Sequence, residues 1–443
     1  MASRQGALVS VDLVSGGDDY TPQSGDTSFD VTSYELELSY RVRTNRLEGR
    51  AVLDCVAVVA TRSVALDLIG LRVGRVRVDG DARTRFEQGA RKVRVALPRL
   101  VAAGEAFSIE VTYTGSPRPR ASRWGTIGFE ELDDGALVAS QPIGAPTWFP
   151  CNDRPDDRAT YRISVTTDDP YTVAATGVAS APERAGGGRS TWAFTCDVPM
   201  ATYLAAVHIG RYQRTALGRA TLVRPPALAA RAHDAFASVP SILACFEDFF
   251  GPYPQEECTI VVTSDDLEIP LEAQGLVVFG ANHLDAPSAR LVPHELAHQW
   301  FGNSVGVANW RDIWLNEGFA CYAEWIWSEA SGGPSADELA RRHHAHLAGL
   351  PQDLVLADPG PDLMFDDRVY KRGALTLHAL RLTVGDAAFR ALIRAWTRTH
   401  RHGLVETADF VARVEEETGS SQAPLLTAWL EQPALPLLPA PRR

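Results

Sequence analysis

Apolar and polar positions alternate in short runs through the first half of the chain, then shift to a longer, helix-like period in the second. From Phe29 the stretch Tyr34-Glu-Leu-Glu-Leu-Ser-Tyr-Arg-Val reads in and out at every step, the two-residue period of a half-buried strand. The alternation returns at Arg50 to Val58, Val73 to Val78, Lys92 to Leu97, Phe107 to Tyr113, Tyr161 to Val165, Trp192 to Phe194 and Tyr203 to Val207. Gly, Pro and Asp clusters separate these runs, and Gly186-Gly-Gly reads as a hairpin tip. The pattern predicts an N-terminal antiparallel β domain over residues 29–212. Before it, residues 1–28 are rich in Gly, Ser and Asp and predict a flexible leader.

After about Arg224 apolar residues recur at helical spacing. Residues 227–250 carry that spacing, and two strand-length runs follow, from Thr259 and at Leu276-Val-Val-Phe. Helices are then predicted over 289–305, 315–330, 335–349, 369–383, 386–400 and 406–417. A second, mostly helical domain is predicted over 213–436, with a tail at 437–443; the Pro-rich stretch from Pro433 cannot form a regular helix. The predicted fold class is α+β multidomain.

Composition narrows the function more than the fold. At 443 residues the chain exceeds one ordinary core, and 45% apolar with 22% charged residues is ordinary globular usage. A net charge of −12 argues against a nucleic-acid footprint, which needs a basic face. The N-terminal residues show no apolar signal segment, and no run is long and apolar enough to span a bilayer. The six cysteines are scattered, without a Cys-x-x-Cys pair. That pattern suits reduced thiols in a cytoplasmic protein.

The chemistry concentrates at His294-Glu-Leu-Ala-His298. On a helix, residues four apart share a face, so the two imidazoles can address one ion while Glu295 projects beside them toward water. Glu317, in Asn316-Glu-Gly, lies nineteen positions after His298 and opens a second helical run. Two histidines and a carboxylate, with one position left open, are the ligand set of a catalytic zinc. Pro293 directly precedes His294, so the helix must start within a turn of Pro293 or kink there. Glu324 and Asp312 are both candidates to take the second ring nitrogen of a zinc histidine. His343, His344 and His346 lie on an Arg-rich stretch and read as solvated.

These residues resemble the aminopeptidase N family of zinc metallopeptidases. His294-Glu-Leu-Ala-His-Gln-Trp-Phe-Gly and Trp310 to Ala320 carry the resemblance. Phe29-Asp-Val-Thr-Ser-Tyr, Trp148-Phe-Pro-Cys-Asn-Asp-Arg-Pro, Pro199-Met-Ala-Thr-Tyr-Leu and Phe250-Gly-Pro-Tyr-Pro are similar to family segments too. The resemblance implies a thermolysin-like catalytic domain holding one zinc ion at His294, His298 and Glu317, and an aminopeptidase acting on peptides with a free N-terminus. It implies Glu295 as general base and Tyr370, in Tyr370-Lys-Arg-Gly, as the catalytic tyrosine. Glu272 and Gln141 match the residues that bind the substrate's amine. Two departures stand out. The family's Gly-x-Met-Glu-Asn reads Ile269-Pro-Leu-Glu-Ala here, and the acidic residue after the tyrosine is Lys371. The large C-terminal helical domain usual in the family is expected to be missing, leaving a two-domain form. Three other readings remain open on sequence: an endopeptidase sharing the zinc motif, a hydrolase of a non-peptide substrate, and a catalytically silent peptide-binding scaffold.

Overall fold

The computed structural model describes residues 17–440. The alternating first half forms sheets whose inward positions are buried and outward ones exposed, as along Phe29–Arg41. An eight-stranded sheet orders Val178–Ala179, Arg189–Ala201, Arg158–Asp168, Phe29–Arg41, Arg46–Ala57, Ala106–Gly115 and Arg72–Val78, with Glu183–Gly186 on the side. One pairing departs from the expected antiparallel arrangement. Phe29–Arg41 runs parallel to Arg158–Asp168, in register from Ser33↔Thr160 to Ser39↔Thr166. Alternation reports which face is buried and not strand direction, so the mixed sheet left no trace in the pattern. In a five-stranded sheet Gly135–Ala139 is the central strand, and Gln141 follows it by two residues.

The second half opens with another five-stranded sheet, in the order Gln213–Leu217, Ala220–Arg224, Thr259–Val262, Leu276–Phe279, Leu271–Ala273. The described helices are α1 (Ala229–Ala235), α2 (Val239–Phe250), α3 (Leu291–Ala297), α4 (Trp314–Ala330), α5 (Ala336–Leu347), α6 (Asp367–Val384), α7 (Asp386–Thr399), α8 (Thr407–Thr418) and α9 (Ala423–Leu430). Three differ from expectation. The stretch 227–250 is split into α1 and α2, with Pro240 in the first turn of α2. α9 was not anticipated. The helix expected over 289–305 ends at Ala297, because Asn303, Ser304 and Val305 donate five residues back, to the carbonyls of His298, Gln299 and Trp300. Gly302, at φ 112°, closes that wide turn. Trp300, Phe301 and Val305 stay buried throughout, so the apolar pattern outruns the helix.

The expected leader is corrected over its described part, residues 17–28. Asp18 Oδ2 accepts from Trp310 N at 2.7 Å, Tyr20 OH accepts from Gly360 N at 2.7 Å, and Gly25 N donates to Asp67 at 2.8 Å. Polar composition made this stretch read as loose, yet its carboxylate and amides tie the β domain to the helical one; residues 1–16 lie outside the described residues. Ahead of the tail, Arg372 on α6 donates to the carbonyls of Trp429 in α9 (2.9 Å) and of Pro433 after it (2.8 Å). All six cysteines are unpaired, and no described helix is long and apolar enough to cross a membrane.

Candidate metal centre

α3 is two turns long, with Pro293 at its third position. A first-turn N–H has no intrahelical acceptor, so the proline costs the helix nothing there. One turn on, His294 and His298 face the same way, with ring centroids 4.9 Å apart. Glu317 enters from the first turn of α4. Its Oε2 stands 3.6 Å from His294 Nε2 and 3.5 Å from His298 Nε2, and all three side chains are buried.

The outer ring nitrogens decide what the inner ones can do. His294 Nδ1 lies 2.8 Å from Glu324 Oε1 and His298 Nδ1 lies 3.0 Å from the Phe301 carbonyl. Both partners are acceptors, so in each neutral ring Nδ1 carries the proton and Nε2 is left to offer its lone pair to a cation beside Glu317. Two imidazole nitrogens and a carboxylate oxygen converging in this way match a zinc ligand set with one position open.

Charge balance points the same way. Burial alone would lower the imidazole pKa values, yet Glu317 and Glu324 lift His294 to about 9, and Glu272 and Glu317 lift His298 to about 10. Glu317 is held at about 2 against its burial by the two imidazoles. Buried carboxylates gathered like this call for positive charge, supplied by imidazolium or by a divalent cation. Glu295 projects from α3 into the same space. Its Oε2 is buried without a hydrogen-bond partner, and burial, with Glu272 adding to it, raises its pKa to about 7.

Glu272 lies within the short edge strand Leu271–Ala273, just ahead of the strand Leu276–Phe279, and pairs across to Val277. Its Oε1 accepts from Gln141 Nε2 at 2.7 Å. The metal helix's own sequel fixes this edge. Gln299 Nε2 and Asn303 Nδ2 donate to the Ala273 carbonyl at 3.1 and 2.8 Å, and Gln299 Oε1 accepts from Gly275 N at 2.9 Å. Glu272, Glu295 and His298 consequently present ligand atoms within 4.8 Å of one another.

Tyr370 arrives on α6, its ring 6.0 Å from that of His294 and nearly parallel to it. Its placement depends on two glycines. A Cβ on Gly373 would fall 2.6 Å from Gly318 Cα, and one on Gly318 would fall 2.8 Å from Gly373 Cα. α4 and α6 therefore touch backbone to backbone beside Glu317 and Tyr370, which only glycine allows.

The predicted site residues Gln141, Glu272, His294, Glu295, His298, Glu317 and Tyr370 all line one cavity of about 220 Å³. The structure adds Arg290, Phe365 and Lys371 to its wall. Arg290 sits one turn before His294, a spacing that marks it in the sequence; Phe365 gives no such signal. Of the two candidates for the histidine partner, Glu324 takes it. Asp312 instead accepts from Thr407 N and Oγ1 at 3.0 and 2.6 Å, at the start of α8. The expectation for the histidines of α5 is corrected in two cases. His343 stacks on Trp325 at 5.3 Å and His344 Nε2 meets the Pro436 carbonyl at 2.8 Å, leaving His346 exposed.

Comparison with known proteins finds related chains. Residues 31–204 match the Peptidase M1 N-terminal domain and residues 235–429 the Peptidase family M1 domain. A crystal structure of a two-domain M1 zinc metallopeptidase variant bound to L-arginine is 32% identical with a TM-score of 0.87, covering 97% of this chain and all of that one. An M1 zinc metallopeptidase variant from Deinococcus radiodurans, bound to a Tyr-Ser-Ala substrate, is 33% identical with a TM-score of 0.84 and the same coverage. A probable aminopeptidase from Sulfurisphaera tokodaii is 24% identical over 92% of this chain, which spans 54% of that protein. The chain thus spans about half the length of the curated relatives it matches.

Proposed function

The chain belongs to the peptidase M1 family, and on that premise we propose that it is a zinc-dependent aminopeptidase removing the N-terminal residue from peptides. One observation carries the reading: a single cavity holds both the His294–His298–Glu317 triad and the Gln141–Glu272 pair. His294, His298 and Glu317 would hold one zinc ion. A zinc ion there supplies Lewis acidity, polarising the scissile carbonyl and lowering the pKa of water from about 16 to about 7.

The remaining work falls to side chains. Glu295, with an oxygen free of partners, takes the proton from the attacking water and returns it to the leaving amine. Tyr370 stays a phenol, because burial and the carboxylates of Glu317, Glu272 and Glu295 hold its pKa well above 10. It can therefore donate to the oxyanion as charge develops. Glu272, desolvated and oriented by Gln141, binds the substrate's ammonium group. A buried carboxylate rewards a cation and rejects a neutral group in its place. That selectivity makes the enzyme an exopeptidase.

The test is a panel of aminoacyl-arylamides beside their N-acetylated counterparts. The reading expects cleavage of the free-amine set alone, abolished by a chelator and restored by zinc. Equal cleavage of both sets would remove Glu272 from its role and point to an endopeptidase-like site.

A further inference from the structure

Lys371 follows Tyr370 on α6, lines the catalytic cavity and is only 8% exposed. An ammonium offers three donors, but the contacts of this one are poor. They are the Cys321 thiol at 3.3 Å and the carboxylate of Asp367 at 3.8 Å, itself 68% exposed. Glu324, the other nearby carboxylate, is engaged by His294 Nδ1 at 2.8 Å and more loosely by Arg290 at 3.4 Å. The cavity wall therefore carries a buried cation short of acceptors, and a second cation, Arg290, lines the same cavity.

Their position gives this meaning. Glu324 and Arg290 stand on the Nδ1 side of His294, and Lys371 donates to Cys321, three residues before Glu324 on α4, whereas Glu272 stands with Glu295 and His298. A peptide with its ammonium at Glu272 and its first carbonyl at the triad runs its leaving portion toward Lys371. We propose that Lys371, with Arg290, binds a carboxylate on the leaving side of the scissile bond. The favoured substrates are then dipeptides, through their C-terminus, or peptides with an acidic second residue. Charge-assisted bonds to an underserved ammonium are the strong kind. The direction of the peptide rests on the aminopeptidase reading.

The test measures binding, so it does not depend on turnover. Zinc-loaded full-length chain carrying Glu295→Gln is titrated calorimetrically with Leu-Ala, Leu-Ala-amide, Leu-Asp-amide and Leu-Asn-amide. The expected result is at least about tenfold tighter binding of the carboxylate-bearing member of one pair or both. Preference within the first pair identifies the peptide terminus, and within the second the acidic side chain. Adding Lys371→Met should bring the ratio toward one, while Lys371→Arg should keep it. Equal affinities in both pairs, no binding by any of the four, or a preference that Lys371→Met leaves intact would overturn the proposal. Should Lys371→Met fail to fold, the ratios in the chain that retains Lys371 still decide. Carboxylate preference alongside a wild-type chain that cleaves no free-amine peptide would sink the aminopeptidase reading and leave the carboxylate site standing.

Discussion

Gly373→Ala perturbs the site without touching any residue that meets substrate or metal. The new Cβ would stand 2.6 Å from Gly318 Cα and 3.4 Å from Gly318 N. Carbon atoms rest at about 3.5–4.0 Å, so α4 and α6 must part by about 1 Å. Overpacking of this kind costs about 1–3 kcal/mol, while replacing a helical glycine by alanine returns about 1 kcal/mol. The net loss of stability is then about 0–2 kcal/mol, a few degrees in Tm for a domain of this size. Activity has no such compensation. Glu317 rides on α4 and Tyr370 on α6, and a displacement of about 1 Å between reacting groups can cost about a hundredfold. The expected outcome is a folded protein with Tm lowered by a few degrees and turnover of an aminoacyl-arylamide down about a hundredfold. Calorimetry and steady-state kinetics read both. Wild-type turnover at an unchanged Tm would show that the two helices need not touch, and the reasoning would fall.

Two further outcomes follow from other parts of the structure. Glu324→Ala removes the acceptor that orients His294, and should weaken metal affinity about 10- to 100-fold, measured with a chromogenic chelator; unchanged affinity would deny Glu324 that part. Asp153 is buried, and burial, with Asp67 beside it, raises its pKa from 3.8 to about 7. Its protonated form stabilises the fold fully below about pH 4, and that contribution is lost as pH rises through about 7. Asp153→Asn keeps an acceptor for Thr202 (2.6 Å in the wild type) and removes the charge. Its Tm should exceed the wild type's at pH 8, by no more than about 4 kcal/mol of stability, with a smaller gap at pH 5. A gap that widens on acidification would contradict the sign.

Chemistry was more legible in the sequence than geometry. His294, His298 and Glu317 announce themselves because a metal needs those residue types at helical spacing. Glu324 was within reach because seven residues return a side chain to the face of Glu317. Gly318 and Gly373 stand far apart in the chain, and only the crossing of α4 and α6 shows that each excludes a Cβ from the other. Lys371 was visible as a reversed charge, but its shortage of acceptors belongs to the folded cavity. Burial also hid where elements stop. The turn after His298 is as apolar as the helix before it, while the polar stretch 17–28 conceals the anchors Asp18 and Tyr20. Helix α9 was hidden by its brevity, eight residues with a proline in the first turn.

The central claim is that one zinc ion at His294, His298 and Glu317 works with Glu295 as the base. Zinc content and turnover measured together on Glu295→Gln test it most directly. The account predicts about one zinc per chain, as in the wild type, with turnover lower by about 10²–10⁴-fold. Wild-type turnover with the zinc in place would contradict it.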